Sequence, residues 1–253
     1  MRVLILADGD PPSPALAQRL AHEADLRIAT DGAANKAAAL GLTPDILCGD
    51  FDSVDLKAAC LAFPAAEVVP TPDQSCADLE KALLLALARG ASAIAIIGAT
   101  GGRMDHTLSS FALLQRYGIS LPVCVVADRP VGSLAEQEKL KKEQDGGEQT
   151  EQKNCAAVTW AVHANRRCVF ATIPGETVSL VTFTNATVSI EGVRWPLTTH
   201  DLTPGTLGVS NIADAPHVAV EVHSGSVFVI HASPEPAGFG YYTSQVVTQA
   251  LIP

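Results

Sequence analysis

The sequence predicts an α/β fold followed by an all-β one: an N-terminal three-layer α/β domain with a mostly parallel sheet, then a C-terminal β-sandwich domain. Three observations predict it. Short continuous apolar runs alternate with helical stretches from Arg2 to Ala127, as in βα units whose strands are buried on both faces. Between Ser133 and Asn154 the chain turns to Glu, Gln, Lys, Asp and Gly with almost no apolar residue after Leu140, too little to offset the cost of ordering. Beyond it come strand-length segments rich in Val and Thr, separated by Pro-Gly, Asn, Glu-Gly and Ser-Gly turn signals. The expected boundaries are 1–132 for the α/β domain, 133–156 for a low-complexity flexible insertion or linker and 157–253 for the β-sandwich domain.

Arg2–Ala7 reads as a buried strand ending in the turn Asp8-Gly9-Asp10-Pro11-Pro12. Ser13 as N-cap and Pro14 at the first helical position open a helix to about His22. Leu26–Thr30 is the second strand; it runs into Asp31-Gly32-Ala33-Ala34-Asn35-Lys36 and an alanine-rich helix to Leu40. Pro44–Cys48 leads into Gly49-Asp50-Phe51-Asp52-Ser53, and Glu67–Val69 is a short strand. Asp78–Arg89 is a helix with Leu79, Leu83, Ala86 and Leu87 on one face, ended by Gly90. Ala93–Ile97 is the next strand, Gly98–His106 leads into a helix to about Tyr117, and Val123–Ala127 is a further strand. In such a fold ligands bind beyond the carboxyl ends of the strands, so Asp8, Asp31, Asp50, Asp73 and Arg103 share one rim. In the second half, strands are expected at Val158–Val162, Cys168–Ala171, Thr177–Phe183, Ala186–Ile190, Leu207–Val209, Val218–Val222 and Val227–His231, the last two joined as a hairpin.

A net charge of −10 speaks against a nucleic-acid surface, which needs clustered Lys and Arg. It leaves room for nucleotides, whose phosphates metal ions can bridge to carboxylates. No apolar run is long enough to span a bilayer, and no charged-then-apolar leader precedes the first strand, so a cytoplasmic protein without a membrane partner is expected. Cys48, Cys60, Cys76, Cys124, Cys155 and Cys168 form no C-x-x-C pair and read as free thiols.

Asp50 and Asp52, at i and i+2 on a glycine-led loop, can aim their oxygens into one volume. An acidic cluster without neighbouring Cys or His suits Mg²⁺ with substrate phosphates; solvated loop acids are the structural alternative. Asp78 stands at a helix start, where a carboxylate is favoured in any protein, and Lys81 one turn on can pair with it or reach a phosphate. The turn Gly98-Ala99-Thr100-Gly101-Gly102 lets backbone N–H groups approach an anion at a helix start. It lacks the Gly-Lys-Ser/Thr ending of a Walker A loop. Arg103 after it can chelate phosphate oxygens, with Asp105 and His106 orienting it or capping the helix.

Taken together, Asp31-Gly32-Ala33-Ala34-Asn35, Gly49-Asp50-Phe51-Asp52-Ser53, Asp73-Gln74-x-x-x-Asp78-x-x-Lys81 and Gly101-Gly102-Arg103-Met104-Asp105-His106-Thr107 resemble, in order and spacing, the thiamine pyrophosphokinase family. Gly192-Val193-Arg194-Trp195-Pro196-Leu197 is similar to that family's Gly-x-Lys-Trp-x-Leu segment, and Val209-Ser210-Asn211 to its Ser-Asn strand end. The resemblance implies a homodimer that transfers the pyrophosphoryl group of ATP to thiamine, releasing AMP. It implies that Asp50, Asp52 and Asp78 are catalytic and hold Mg²⁺ with Asp31 close by. Gln74, Lys81, Arg103, Asp105, Gly101 and Gly102 would meet the ATP phosphates. Trp195, Ser210 and Asn211 would form the thiamine pocket, across the dimer interface, with the indole face suited to the thiazolium cation.

The chain departs from the family pattern at three places. Ala77 stands where Thr is usual, Ala33 replaces the second glycine of Asp-Gly-Gly-Ala-Asn, and Val209 replaces Thr. Two rivals remain at this stage. Asp50-Phe51-Asp52-Ser53-Val54 also matches the nucleophile loop of haloacid-dehalogenase-like phosphatases, although the strand ending at Ile97 is followed by Gly-Ala-Thr-Gly-Gly-Arg instead of their acidic pair. A non-catalytic thiamine or nucleotide binder would share the motifs.

Overall fold

The structure is a computed structural model and describes residues 1–51, 56–129, 155–234, 239 and 246–247. The first half runs β1 (Arg2–Leu6), α1 (Pro14–Glu23), β2 (Leu26–Thr30), α2 (Asp31–Ala39), β3 (Ile46–Gly49), α3 (Leu56–Ala62), β4 (Glu67–Pro70), α4 (Asp78–Ala88), β5 (Ala93–Ile97), α5 (Met104–Tyr117) and β6 (Val123–Arg129). The second is β7 (Cys155–His163), β8 (Arg166–Ala171), β9 (Thr177–Val181), β10 (Ala186–Glu191), β11 (Leu197–Leu202), β12 (Asn211–Ile212), β13 (His217–Ser224), β14 (Ser226–Ser233) and β15 (Val246–Val247).

The apolar runs become parallel strands in the order β4-β3-β2-β1-β5-β6. Their alternate side chains feed two cores. Leu4, Leu6, Ala29 and Leu47 pack with α1, α2 and α3; Val3, Ile5, Ile28 and Ile46 pack with α4 and α5. Burial on both faces is why these strands read as unbroken apolar runs. Strand order reverses beside β1, whose neighbours are β2 and β5, so a crevice opens beyond their carboxyl ends.

The sheet does not stop at β6. β7 pairs antiparallel with β6 from Cys124↔Trp160 to Arg129↔Cys155, and the ladder continues through β14, β9 and β12 to make a ten-stranded sheet. A second sheet, β11-β10-β13-β8-β15, packs against this extension as the other half of the sandwich. The mixed α/β sheet and the antiparallel sandwich are those expected from the sequence.

Two local readings change and a third gains a residue. Leu207–Val209 is a turn, closed by Val209 N donating to Thr206 O at 3.1 Å, while Leu197–Leu202 forms a strand that no alternation announces, because its four central residues are all exposed. Ser13 stands at the N-cap of α1 without a side-chain cap bond; its hydroxyl and amide turn to the Asp128 carboxylate. The expected stripe of α4 faces the core, with Leu83 and Ala86 buried and Leu79 and Leu87 packed at its edge, and the helix carries Lys81 inward as well. The stretch 133–154 lies outside the described residues, as do Asp52 and most of the tail.

Candidate active site

Asp31 opens α2 directly at the end of β2 and is only 3% exposed. Its Oδ1 accepts from Gly32 N at 2.5 Å and its Oδ2 from Phe51 N at 3.1 Å. A Cβ at Gly49 would come within 2.6 Å of Asp31 Cβ, so only glycine lets β3 and Asp31 approach. Phe51 has φ +60°, rare for an aromatic residue; that left-handed turn belongs to the loop whose amide reaches Asp31. Burial raises the Asp31 pKa above the usual carboxylate range. The Asp78 and Asp50 charges push the same way, while the Gly32 and Phe51 amides oppose them.

Asp50 accepts from Gln74 Nε2 at 2.6 Å and lies 3.8 Å from Lys81 Nζ, which donates to Asp78 Oδ1 at 2.9 Å. Burial alone would lower the Lys81 pKa, but the hydrogen bond to Asp78 and the charges of Asp78 and Asp50 outweigh it and leave it raised. The ammonium therefore stays charged between the Asp78 and Asp50 carboxylates. Asp73 turns back on its own loop, accepting from Ser75 N and Oγ at 2.8 Å each.

Beside this cluster a cavity of ≈ 360 Å³ is lined by Asp8, Asp10, Asp31, Asp78, Gly101 and Arg103, among others including Gly102. Arg103 is held by Asp105 at 3.1 Å from Nε and 2.5 Å from Nη2, and the guanidinium pulls the Asp105 pKa down to about 2. Gly101 has φ +79°, and a Cβ there would fall on the Asp10 carboxylate, so the glycine is demanded twice over. Asp31, Asp50, Gln74, Asp78 and Lys81 thus form one network, with Gly101, Gly102 and Arg103 along the same cleft. Lys36, which also lines it, is the residue sequence reading passed over; a single basic residue in an alanine-rich helix was the available signal.

Trp195, Ser210 and Asn211 form a second group, and none of them lines the cleft. Asn211 is buried, and its amide clasps the Trp195 backbone, accepting from Trp195 N at 3.1 Å and donating to Trp195 O at 2.7 Å. Ser210, at φ +62°, donates its N–H to Ser179 Oγ at 2.9 Å. The indole is 57% exposed and carries the Arg194 guanidinium 5.7 Å from its ring centre. Of the departures from the family pattern, Ala33 lies inside α2 and needs no left-handed backbone, while Ala77 leaves the N-cap of α4 without a side-chain bond.

Two family models match the chain, "Thiamin pyrophosphokinase, catalytic domain" over residues 17–125 and "Thiamin pyrophosphokinase, vitamin B1 binding domain" over residues 162–227. The Caenorhabditis elegans protein Thiamin pyrophosphokinase 1 is 34% identical over 136 residues, 50% of this chain and 55% of that protein, so the match spans about half the relative's length. The crystal structure of thiamine pyrophosphokinase from Bacillus subtilis is similar at TM-score 0.70 and 20% identity, covering 92% of this chain and 99% of that one. The thiamin pyrophosphokinase from Candida albicans is similar at TM-score 0.67 and 15% identity, covering 91% and 88%. At these identities the solved structures speak for the fold alone. The two domain models, matched in order along one chain whose halves share a continuous sheet, establish that the protein belongs to the thiamin pyrophosphokinase family.

Proposed function

We propose that the chain transfers the pyrophosphoryl group of MgATP to the hydroxyl of thiamine, giving thiamine diphosphate and AMP. The observation that carries this reading is the Asp31–Asp50–Asp78 cluster, with Lys81 between Asp50 and Asp78, open to a cleft with Arg103 and the Gly101-Gly102 turn. Three carboxylates against one ammonium leave excess negative charge, and the donor set is all oxygen, which fits a hard divalent cation. Among the described residues no three His, Cys, Asp or Glu are already gathered for a metal; Asp52, the further candidate ligand, lies outside them. Asp31, Asp50, Asp52 and Asp78 would hold Mg²⁺, which supplies charge neutralisation on the phosphates.

The chain's own residues do the rest. Arg103 and Lys81 offset charge that develops on the polyphosphate, and the Gly101 and Gly102 amides face an anion. The thiamine hydroxyl oxygen bonds to the β-phosphorus and the bond from that phosphorus to the α–β bridging oxygen breaks. AMP leaves with that oxygen, and the hydroxyl proton passes to a carboxylate of the cluster. Trp195 offers an indole face to the thiazolium. Because Trp195 lies outside the cleft lining, the reading needs a second copy of the chain to complete the site. The exposed Trp195, Leu207 and Val209 beside the sheet edge at β12 support such a homodimer. Residues 1–132 then serve as the catalytic domain and 157–253 as the thiamine domain. The net charge of −10 and the free thiols suit a reducing cytoplasm.

The family match favours pyrophosphoryl transfer over the phosphatase reading of Asp50. Purified protein with MgATP and thiamine, its products separated by chromatography, tests the proposal. Thiamine diphosphate and AMP in equal amounts are expected; ADP, or no nucleotide product, overturns it.

A further inference from the structure

Lys36 sits on α2, the helix that begins with Asp31, and reaches the loop after β1. Its Nζ lies 2.5 Å from the Asp8 carbonyl, 2.8 Å from the Gly9 carbonyl and 2.8 Å from Asp8 Oδ1. An ammonium has three N–H donors and no acceptor, so these three partners saturate it. Asp8 also balances its charge at contact distance, which leaves little net field for a polyphosphate.

The loop that Lys36 grips is tied on its other side to the glycine turn after β5. Ala7 N donates to Ile97 O at 2.9 Å, Gly9 N to Gly98 O at 2.6 Å and Asp10 N to Thr100 O at 2.8 Å. The packing is tight enough that a Cβ on Gly32 would fall on the Asp8 carboxylate and one on Gly101 on that of Asp10. Asp8, Gly9, Asp10, Lys36 and Gly101 all line the cleft. One short helix therefore carries a buried carboxylate of the acid cluster at its start and pins the facing wall further along.

We propose that Lys36 is a positioning residue: it fixes the Asp8–Asp10 loop, and through it the Gly98–Gly101 turn, as the wall against which the nucleotide is aligned, and is not itself a phosphate ligand. This rests on the nucleotide-cleft reading above, and two independent readouts keep them apart. The first needs no turnover. Amide hydrogen exchange on the unliganded full chain is expected to quicken at Gly9 and Asp10 in Lys36→Met, with the sandwich strands unchanged; equal exchange overturns the clamp.

The second readout is steady-state kinetics with MgATP and thiamine, alongside calorimetric titration with a non-hydrolysable Mg-nucleotide. Lys36→Met and Asp8→Asn should each lower kcat on the order of ten-fold or more, as displaced walls do. The double variant should be no worse than the more severe single one, because both cut the same clamp. Asp8→Asn that tightens nucleotide binding while Lys36→Met weakens it would make Lys36 a phosphate ligand and overturn the proposal. A fall in thermal midpoint alone, with kcat and KM unchanged per folded molecule, would overturn it too. If wild-type protein forms no AMP, the proposed reaction fails while the exchange result still decides the clamp.

Discussion

Lys81 donates to Asp78 across one turn of α4 at 2.9 Å, from a side chain only 6% exposed, and the same ammonium lies 3.8 Å from Asp50. Removing it leaves like charges facing each other with nothing between. Lys81→Met should lower kcat by about 10²-fold or more. It should also destabilise the fold by about 1.5–3 kcal/mol, the loss of a charge-assisted hydrogen bond, read by urea denaturation. Asp78→Asn should abolish turnover while leaving the circular dichroism spectrum unchanged; near-wild-type rates there would mean that the site is misassigned.

Ala77 occupies the N-cap of α4 at φ −71°, ψ 157° without a side-chain bond to the helix. A threonine hydroxyl at that backbone geometry can accept from an N–H of the first turn. Ala77→Thr should stabilise the protein by about 1 kcal/mol in denaturant titration. No gain would show that the first-turn amides are already satisfied.

The Arg103 guanidinium holds the Asp105 carboxyl at about 2, below its ordinary 3.8. A depressed acid contributes above the unfolded value and is lost as pH falls through the folded one, so the pair persists at every pH above about 4. It is an orienting contact for Arg103 throughout the useful range. Asp105→Ala should raise KM for MgATP roughly ten-fold with a smaller effect on kcat. A lower KM would show instead that Asp105 competes with phosphate for the guanidinium.

His231 is wholly buried in the sandwich, 2.8 Å from Glu176, and burial holds its pKa below 6.5 in spite of that carboxylate. The unfolded chain then binds a proton near 6.5 that the folded chain refuses. Stability from this site is full above 6.5 and drains as pH falls from there towards the lower folded value. Denaturation midpoints compared between neutral and mildly acidic pH should fall for the wild type and fall less for His231→Gln; parallel curves would exclude His231 as the source.

Arg129 and Cys155 are register partners at the end of the β6–β7 ladder, so residues 130–154 join two adjacent antiparallel strands. Replacing them with a short hairpin turn should preserve fold and turnover. Loss of either would assign that stretch a part in the molecule that its composition does not suggest.

The α/β half was legible because strands buried on both faces leave unbroken apolar runs, and because each acid follows such a run. On α4 the spacing showed that Lys81 can pair with Asp78, but not that Lys81 is buried, because its other partner, Asp50, comes from a distant loop. β11 escaped notice because a strand exposed along its centre has no hydrophobic period, and the Val at 209 imitated one inside a turn. The Asn211 amide bonded to the Trp195 backbone is a tertiary fact with no local trace, as is the left-handed Phe51 that lets the loop amide reach Asp31. Composition left the low-complexity stretch open as an insertion or a linker, and only the tertiary structure shows that its flanks, Arg129 and Cys155, are neighbours in a single sheet.

That shared ladder restricts how the protein can move. Enzymes whose lobes meet at a hinge shut on substrate by rotating one against the other, but here such a rotation would tear backbone bonds between β6 and β7. Water must therefore be excluded from the cleft by loop rearrangement, or by a surface that arrives from outside the chain, and the framework itself should unfold as one cooperative body rather than two.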